Sequence, residues 1–127
     1  MEPFSARNAR ILVVDDDPSS AEAVATLFRE EGHEAVVAVS GAEATAALAG
    51  GGYGLVLLDP ALRDRSGLEL ISYAKALGVP TIVTTSDPAF DPARTHYDGI
   101  GAFLYKPIRV PTLLGLITKA LNPGRSA

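Results

Sequence analysis

The chain has 127 residues, 47% hydrophobic and 20% charged, with no cysteine and a net charge of −4. One ordinary soluble domain with its own core fits these figures, which exclude disulfides and thiolate metal sites and argue against nucleic-acid binding by this domain alone. The N-terminal "MEPFSARNAR" lacks a signal-peptide core and no apolar run reaches spanning length, so a cytoplasmic protein off the membrane is expected.

In chain order, the first strand is expected at Ile11–Val14, followed by the acidic run Asp15-Asp16-Asp17. Asp17 before Pro18 reads as a helix N-cap, and Ala21, Val24, Ala25 and Phe28 share one face of a helix that Gly32 stops. A second strand is expected at Ala35–Val39 and a short alanine-rich helix over 41–49. The glycines at 50–52 precede a strand rather than follow one, so they read as a loop and not a phosphate cradle. Leu55–Leu58 is the third strand, and Asp59 ends it. Leu70, Ile71, Ala74 and Leu77 then give a helix closed by Gly78. Thr81–Thr84 is the fourth strand, ending in Thr85-Ser86. Pro88 and Pro92 interrupt the segment after it, and Asp91 is placed to cap a short helix starting at Pro92. Phe103–Tyr105 is the fifth strand, ending in Lys106-Pro107, and Leu113, Leu116, Ile117, Ala120 and Leu121 mark a last helix. His33 and His96 read as surface residues.

Strand and helix alternate five times, which implies an α/β fold with parallel strands and a working site beyond their carboxyl ends. Those ends carry Asp15-Asp16, Asp59, Thr85 and Lys106. If strands one and three are neighbours, three carboxylates crowd together, which is costly unless a cation relieves them. Oxygen donors without His or Cys favour a hard ion, and Mg²⁺ is usually held by one or two carboxylates with water and a phosphate oxygen. With a lysine and a hydroxyl beside them, the set describes a phosphoryl-transfer site in which Asp59 is the nucleophile. Taken singly, Asp59 or Asp15 is as well read as a cap, Thr85 as a strand residue and Lys106 as a surface charge; their joint placement is the argument.

The segments "ILVVDDDPSS", "GHEAVVAVSGAEA", "YGLVLLDPALRDRSG", "VPTIVTTSD" and "GIGAFLYKP" resemble, in order, those of the receiver domain of two-component response regulators. The resemblance implies a flavodoxin-like, doubly wound (βα)5 fold with a five-stranded parallel sheet of order 2-1-3-4-5. It makes 10–122 the receiver domain, 1–9 an N-terminal tail and 123–127 a C-terminal tail or the start of a linker. It implies Asp59 as phosphoacceptor, Gly67 at the family's glycine eight residues on, and Thr85 and Lys106 as phosphoryl contacts. Mg²⁺ (or Mn²⁺) would be ligated by Asp16, Asp59 and the carbonyl of Ala61, with Asp15 acting through water. Phe103 would be the aromatic switch beside Thr85, and the Lys106–Pro107 peptide would be cis. The implied partner is a histidine kinase or histidine phosphotransferase, with a downstream effector or output domain; a homodimer through the last helix is compatible. Such a domain is not an enzyme beyond catalysing its own phosphorylation and dephosphorylation.

The sequence departs from the family pattern in places. Leu62-Arg63 stands where Met-Pro or Leu-Pro is usual, Pro60 follows the phosphoacceptor directly, and Phe103 lacks the commoner tyrosine hydroxyl. Arg63 and Arg65 read as a solvated turn or a partner contact, and 87–98 holds two prolines in a region that usually contributes to output. These departures leave an alternative, an atypical receiver acting as a phosphorylation-independent interaction module. A flavin-nucleotide binder on the same architecture is disfavoured by the acidic strand ends.

Overall fold

The computed structural model describes residues 9–64, 67–91 and 100–121. Its strands are β1 (Arg10–Val14), β2 (Glu34–Ala38), β3 (Leu55–Leu58), β4 (Thr81–Thr85) and β5 (Ile100–Tyr105). Its helices are α1 (Pro18–Glu30), α2 (Gly41–Ala49), α3 (Leu68–Ala76) and α4 (Val110–Leu121). The expected helix from Pro92 falls outside the described residues, as do Arg65 and His96.

All strand pairs are parallel, in the order β2-β1-β3-β4-β5. The continuous apolar runs explain why: β1, β3 and β4 are buried on both faces, as parallel strands under helices must be. Alternate residues feed two cores. Leu12, Val14, Val56 and Leu58 pack with Leu48, Leu70 and Ile71 on the α2–α3 side. Ile11, Val13, Leu55 and Leu57 pack with Ala21, Phe28, Leu113 and Ile117 on the α1–α4 side. Because side chains alternate along a strand, each single-residue step at a strand end selects one of these two sides.

The observed β5 begins three residues before the expected Phe103. Its pairing with β4 shifts between Thr81 and Ile82, running from Thr81–Ile100 to Ile82–Ala102 and skipping Gly101. A glycine at a register irregularity breaks the apolar pattern that marks a strand, which hid its first half. α4 likewise starts before the first apolar residue of its stripe, with Pro111 second in the helix, where the missing N–H costs nothing.

Helix ends follow their residues. Asp17 caps α1 as expected: its Oδ1 accepts from Ser19 N at 3.0 Å and its Oδ2 from Ser20 Oγ at 3.1 Å. The Ser20 hydroxyl, then the Ser19 and Ser20 amides, hold this carboxyl below its ordinary pKa. Gly32, at φ 94, turns the chain out of α1 in a conformation that strains any side chain. His33, read from sequence as a surface residue, is instead half-buried, its Nδ1 accepting from Ala9 N at 3.1 Å, and burial lowers its pKa.

Candidate functional site

Three strand ends meet at one point. The backbone extends the sheet pairing one residue past β1 and β3, with Asp15 N donating to Ala38 O at 3.2 Å and Asp59 N to Val14 O at 2.9 Å. The step to Asp15 and Asp59 keeps the parity of Val13 and Leu57, so both carboxylates lie towards the α1–α4 side. Each residue is 8% exposed. β5 ends beside them: Lys106 N donates to Thr85 O at 2.7 Å, and the Lys106–Pro107 peptide is cis.

Lys106 Nζ bridges the pair, donating to Asp15 Oδ2 at 2.9 Å and to Asp59 Oδ2 at 2.8 Å. Burial lowers the pKa of this ammonium, but the hydrogen bonds to Asp59 and Asp15 and the charges of both carboxylates outweigh it, and the net effect is upward. The remaining carboxylate oxygens are satisfied locally: Asp15 Oδ1 accepts from Asp17 N and Asp59 Oδ1 from Ala61 N, each at 3.0 Å.

Asp16 turns elsewhere. Its Oδ2 lies 3.5 Å from Arg63 Nε, an ion pair too long to be a hydrogen bond. Thr85 is buried at 3% exposure, and its hydroxyl oxygen accepts from Asp87 N at 3.0 Å. Phe103 is half-buried on the α2–α3 side, tilted against Phe90 at 6.0 Å between ring centroids and edge-on to Tyr105 at 5.2 Å. Thus Asp15, Asp59 and Lys106 are brought together, Asp16 stands at the rim with Arg63, and Thr85 is bonded to the loop after β4.

The donors suit a hard cation. Two carboxylates converge closely enough to share one ammonium, and the third acid is the next residue along. Among the described residues no three acidic, His or Cys side chains form a ready-made cage. Mg²⁺ does not need one, because it keeps several of its waters and takes only one or two carboxylates.

Residues 60–64 are held more tightly than their solvated composition suggests. Asp64 Oδ1 accepts from Gly41 N at 2.9 Å and Asp64 Oδ2 from Ala42 N at 3.0 Å, so a residue far along the chain satisfies the first two amides of α2. Ser40 Oγ takes the third, from Glu43, while Glu43 Oε1 accepts from Val39 N. The Ser40–Glu43 spacing is a capping signal present in the sequence that the sequence reading did not use. No sequence signal announced Asp64, since the contact joins two loops. Tyr105 was also missed: its hydroxyl donates to Phe90 O at 2.6 Å, tying β5 to the loop after β4.

Gly67 is fixed by proximity rather than by an unusual dihedral. A Cβ there would lie 2.7 Å from Pro60 Cα and 3.0 Å from Pro60 O, where Gly67 N already donates at 2.9 Å. Gly67→Ala is expected to cost about 2 kcal/mol through this backbone clash, read as a lower midpoint in urea.

A cavity of about 250 Å³ opens on the α1–α4 side, between Val24 of α1 and Pro107-Ile108, with Asp15 and Lys106 in its wall.

Comparison with known proteins converges on one family. Residues 11–118 match the family model described as the response regulator receiver domain. The sensory transduction protein RegX3 of Mycobacterium tuberculosis is 34% identical over 116 residues, covering 90% of this chain and 51% of its own. The transcriptional regulatory protein DltR of Streptococcus agalactiae is 32% identical over 111 residues, covering 85% and 50%. The chain therefore spans about half the length of these curated relatives. Among solved structures, a CheY-like receiver domain from Methanospirillum hungatei superposes with a TM-score of 0.83 at 28% identity, covering 91% of this chain and 95% of that one. The response regulator TrrA of Thermotoga maritima, solved in complex with Mg²⁺-BeF, superposes at 0.80 with 29% identity, covering 88% and 98%.

Proposed function

We infer that this chain, which belongs to the response regulator receiver domains, takes a phosphoryl group from a partner's phosphohistidine onto Asp59 and passes on the change as a new surface. The observation that carries this reading is the Asp15–Lys106–Asp59 bridge at the ends of β1, β5 and β3, a carboxylate held beside a mobile positive charge.

In the transfer, one Asp59 carboxylate oxygen attacks phosphorus. The P–O bond forms as the P–N bond to the donor imidazole breaks, and the imidazole nitrogen keeps the electron pair and takes up a proton from solvent. Asp16, Asp59 and the Ala61 carbonyl would hold Mg²⁺, with Asp15 acting through water; that the similar response regulator TrrA is solved in complex with Mg²⁺-BeF supports the choice of ion. The ion supplies charge neutralisation at the phosphoryl oxygens. Lys106 gives up Asp59 Oδ2 for a phosphoryl oxygen, a transfer suited to a flexible point charge. Thr85 leaves Asp87 N and offers its hydroxyl to another, and Phe103 repacks against Phe90 and Tyr105. The cavity between α1 and Ile108 gives an apolar side chain of the donor protein a place beside Lys106.

The donor is a histidine kinase or histidine phosphotransferase, and the longer relatives named as transcriptional regulators support an output domain or effector downstream. The chain catalyses its own phosphorylation and dephosphorylation and no other reaction. No described helix is long and apolar enough to cross a membrane, and the cytoplasm is the compartment we assign.

Incubation with a small acyl-phosphate donor and Mg²⁺ should add one phosphoryl group. Borohydride reduction and peptide mapping should place it on Asp59. Incorporation that maps to another residue, or none with Mg²⁺ bound, would sink the reading.

A further inference from the structure

We propose that Arg63 is a tethered competitor of the divalent cation: its guanidinium neutralises Asp16 and has to leave before that carboxylate joins the ion's shell. The inference rests on the metal site assigned under the proposed function, and it concerns how readily that site fills.

The geometry is that of a tether. Asp64 fixes the backbone next to Arg63 by capping α2, and Ala61 N is fixed on the other side by Asp59 Oδ1. The Arg63 side chain itself is 88% exposed, while Asp16 is 26% exposed. The anchor is thus rigid and the charged end free. The contact lies 3.5 Å from Asp16 Oδ2, so charge rather than a directional bond holds it, and it is given up at little cost. A guanidinium stays protonated at every physiological pH, so the competition has no acid or alkaline escape.

The charge balance around the pocket gives the competition its effect. Lys106 already answers Asp15 and Asp59. With Arg63 in place, three carboxylates face two cations. Without it they face one, and the pocket holds an additional unit of negative charge for the ion. Where the family commonly has proline four residues after the phosphoacceptor, this chain has a cation aimed at a candidate ligand.

The test is a Mg²⁺ titration of the full chain without phosphodonor, followed by the amide shifts flanking Asp16 and Asp59. At low ionic strength Arg63→Gln should bind Mg²⁺ about threefold more tightly than the wild type, the size expected for loss of an exposed ion pair. Lys119→Gln on α4, the same change of charge far from the pocket, should match the wild type. The gap should close as ionic strength rises from about 0.01 M to about 1 M, where the screening length falls from about 30 Å to about 3 Å. On an Asp16→Asn background, adding Arg63→Gln should change nothing, because the shared partner is gone. Unchanged or weaker binding in Arg63→Gln, a gap that survives high salt, or an equal gain on the Asp16→Asn background would overturn the proposal. If wild type and Arg63→Gln bind Mg²⁺ equally, only the role of Arg63 falls; if neither binds it, the metal assignment falls too.

Discussion

Asp59→Asn is expected to abolish phosphoryl incorporation completely while making the fold more stable. The amide keeps an oxygen in the place of Asp59 Oδ1, so the bond from Ala61 N survives, but it offers phosphorus no carboxylate nucleophile. In the native protein two carboxylates lie within 2.9 Å of the same ammonium nitrogen, and their mutual repulsion is only partly offset by one positive charge. Removing one charge leaves Lys106 paired with Asp15 alone. The relief is worth about 1 kcal/mol for partly screened charges at this separation. Urea unfolding with chelator present measures the stability, and mass spectrometry after treatment with an acyl-phosphate donor measures the label. Full labelling of the variant would remove Asp59 from the mechanism.

Lys106→Met should act in the opposite sense on stability and in the same sense on function. Methionine fills the volume of the lysine stem but leaves Asp15 and Asp59 facing one another with no cation between them. Deleting one member of a fully buried pair costs about 3–5 kcal/mol; with the lysine side chain about a quarter exposed, about 3 kcal/mol is expected here. The pH dependence has a definite sign. The folded state raises the pKa of Lys106, so the lysine's contribution is fully present below the ordinary lysine pKa of about 10.4 and is lost as pH rises through the higher folded value. Stability curves of wild type and variant should therefore run apart at neutral pH and converge in alkali. Curves that stay parallel into alkali would show that the bridge contributes nothing. Labelling of the variant should fall sharply, since no cation then meets the incoming phosphoryl charge.

How much the sequence made legible depends on how each feature is encoded. β1, β3 and β4 are short, nearly unbroken apolar runs because both of their faces are covered, so they were readable, and with them the positions of Asp15, Asp59 and Thr85. The lysine at the end of β5 was readable from the short apolar run Phe103–Tyr105 before it, although this edge strand is only partly buried and its front was masked by Gly101 and its register shift. Contacts between loops were not readable. The amides of α2 that Asp64 caps lie 22 and 23 residues away, with no periodicity to connect them. Arg63 could be named as a departure from the family pattern, but nothing in its neighbours said that it would turn towards Asp16. Thr85 was placed correctly at its strand end, whereas the choice of Asp87 N as its present partner depends on the path of the loop after β4.

The two hydrogen bonds that Asp64 accepts from the start of α2 have a consequence for anyone exchanging segments between receivers. A 60–64 stretch transplanted from a relative without an acid at its last position would strip two amides of their acceptor and loosen a helix that the graft never included. Chimaeras built on this scaffold should therefore carry the aspartate with the loop, and a swap that keeps it should leave the amide protection of Gly41 and Ala42 against solvent exchange unchanged.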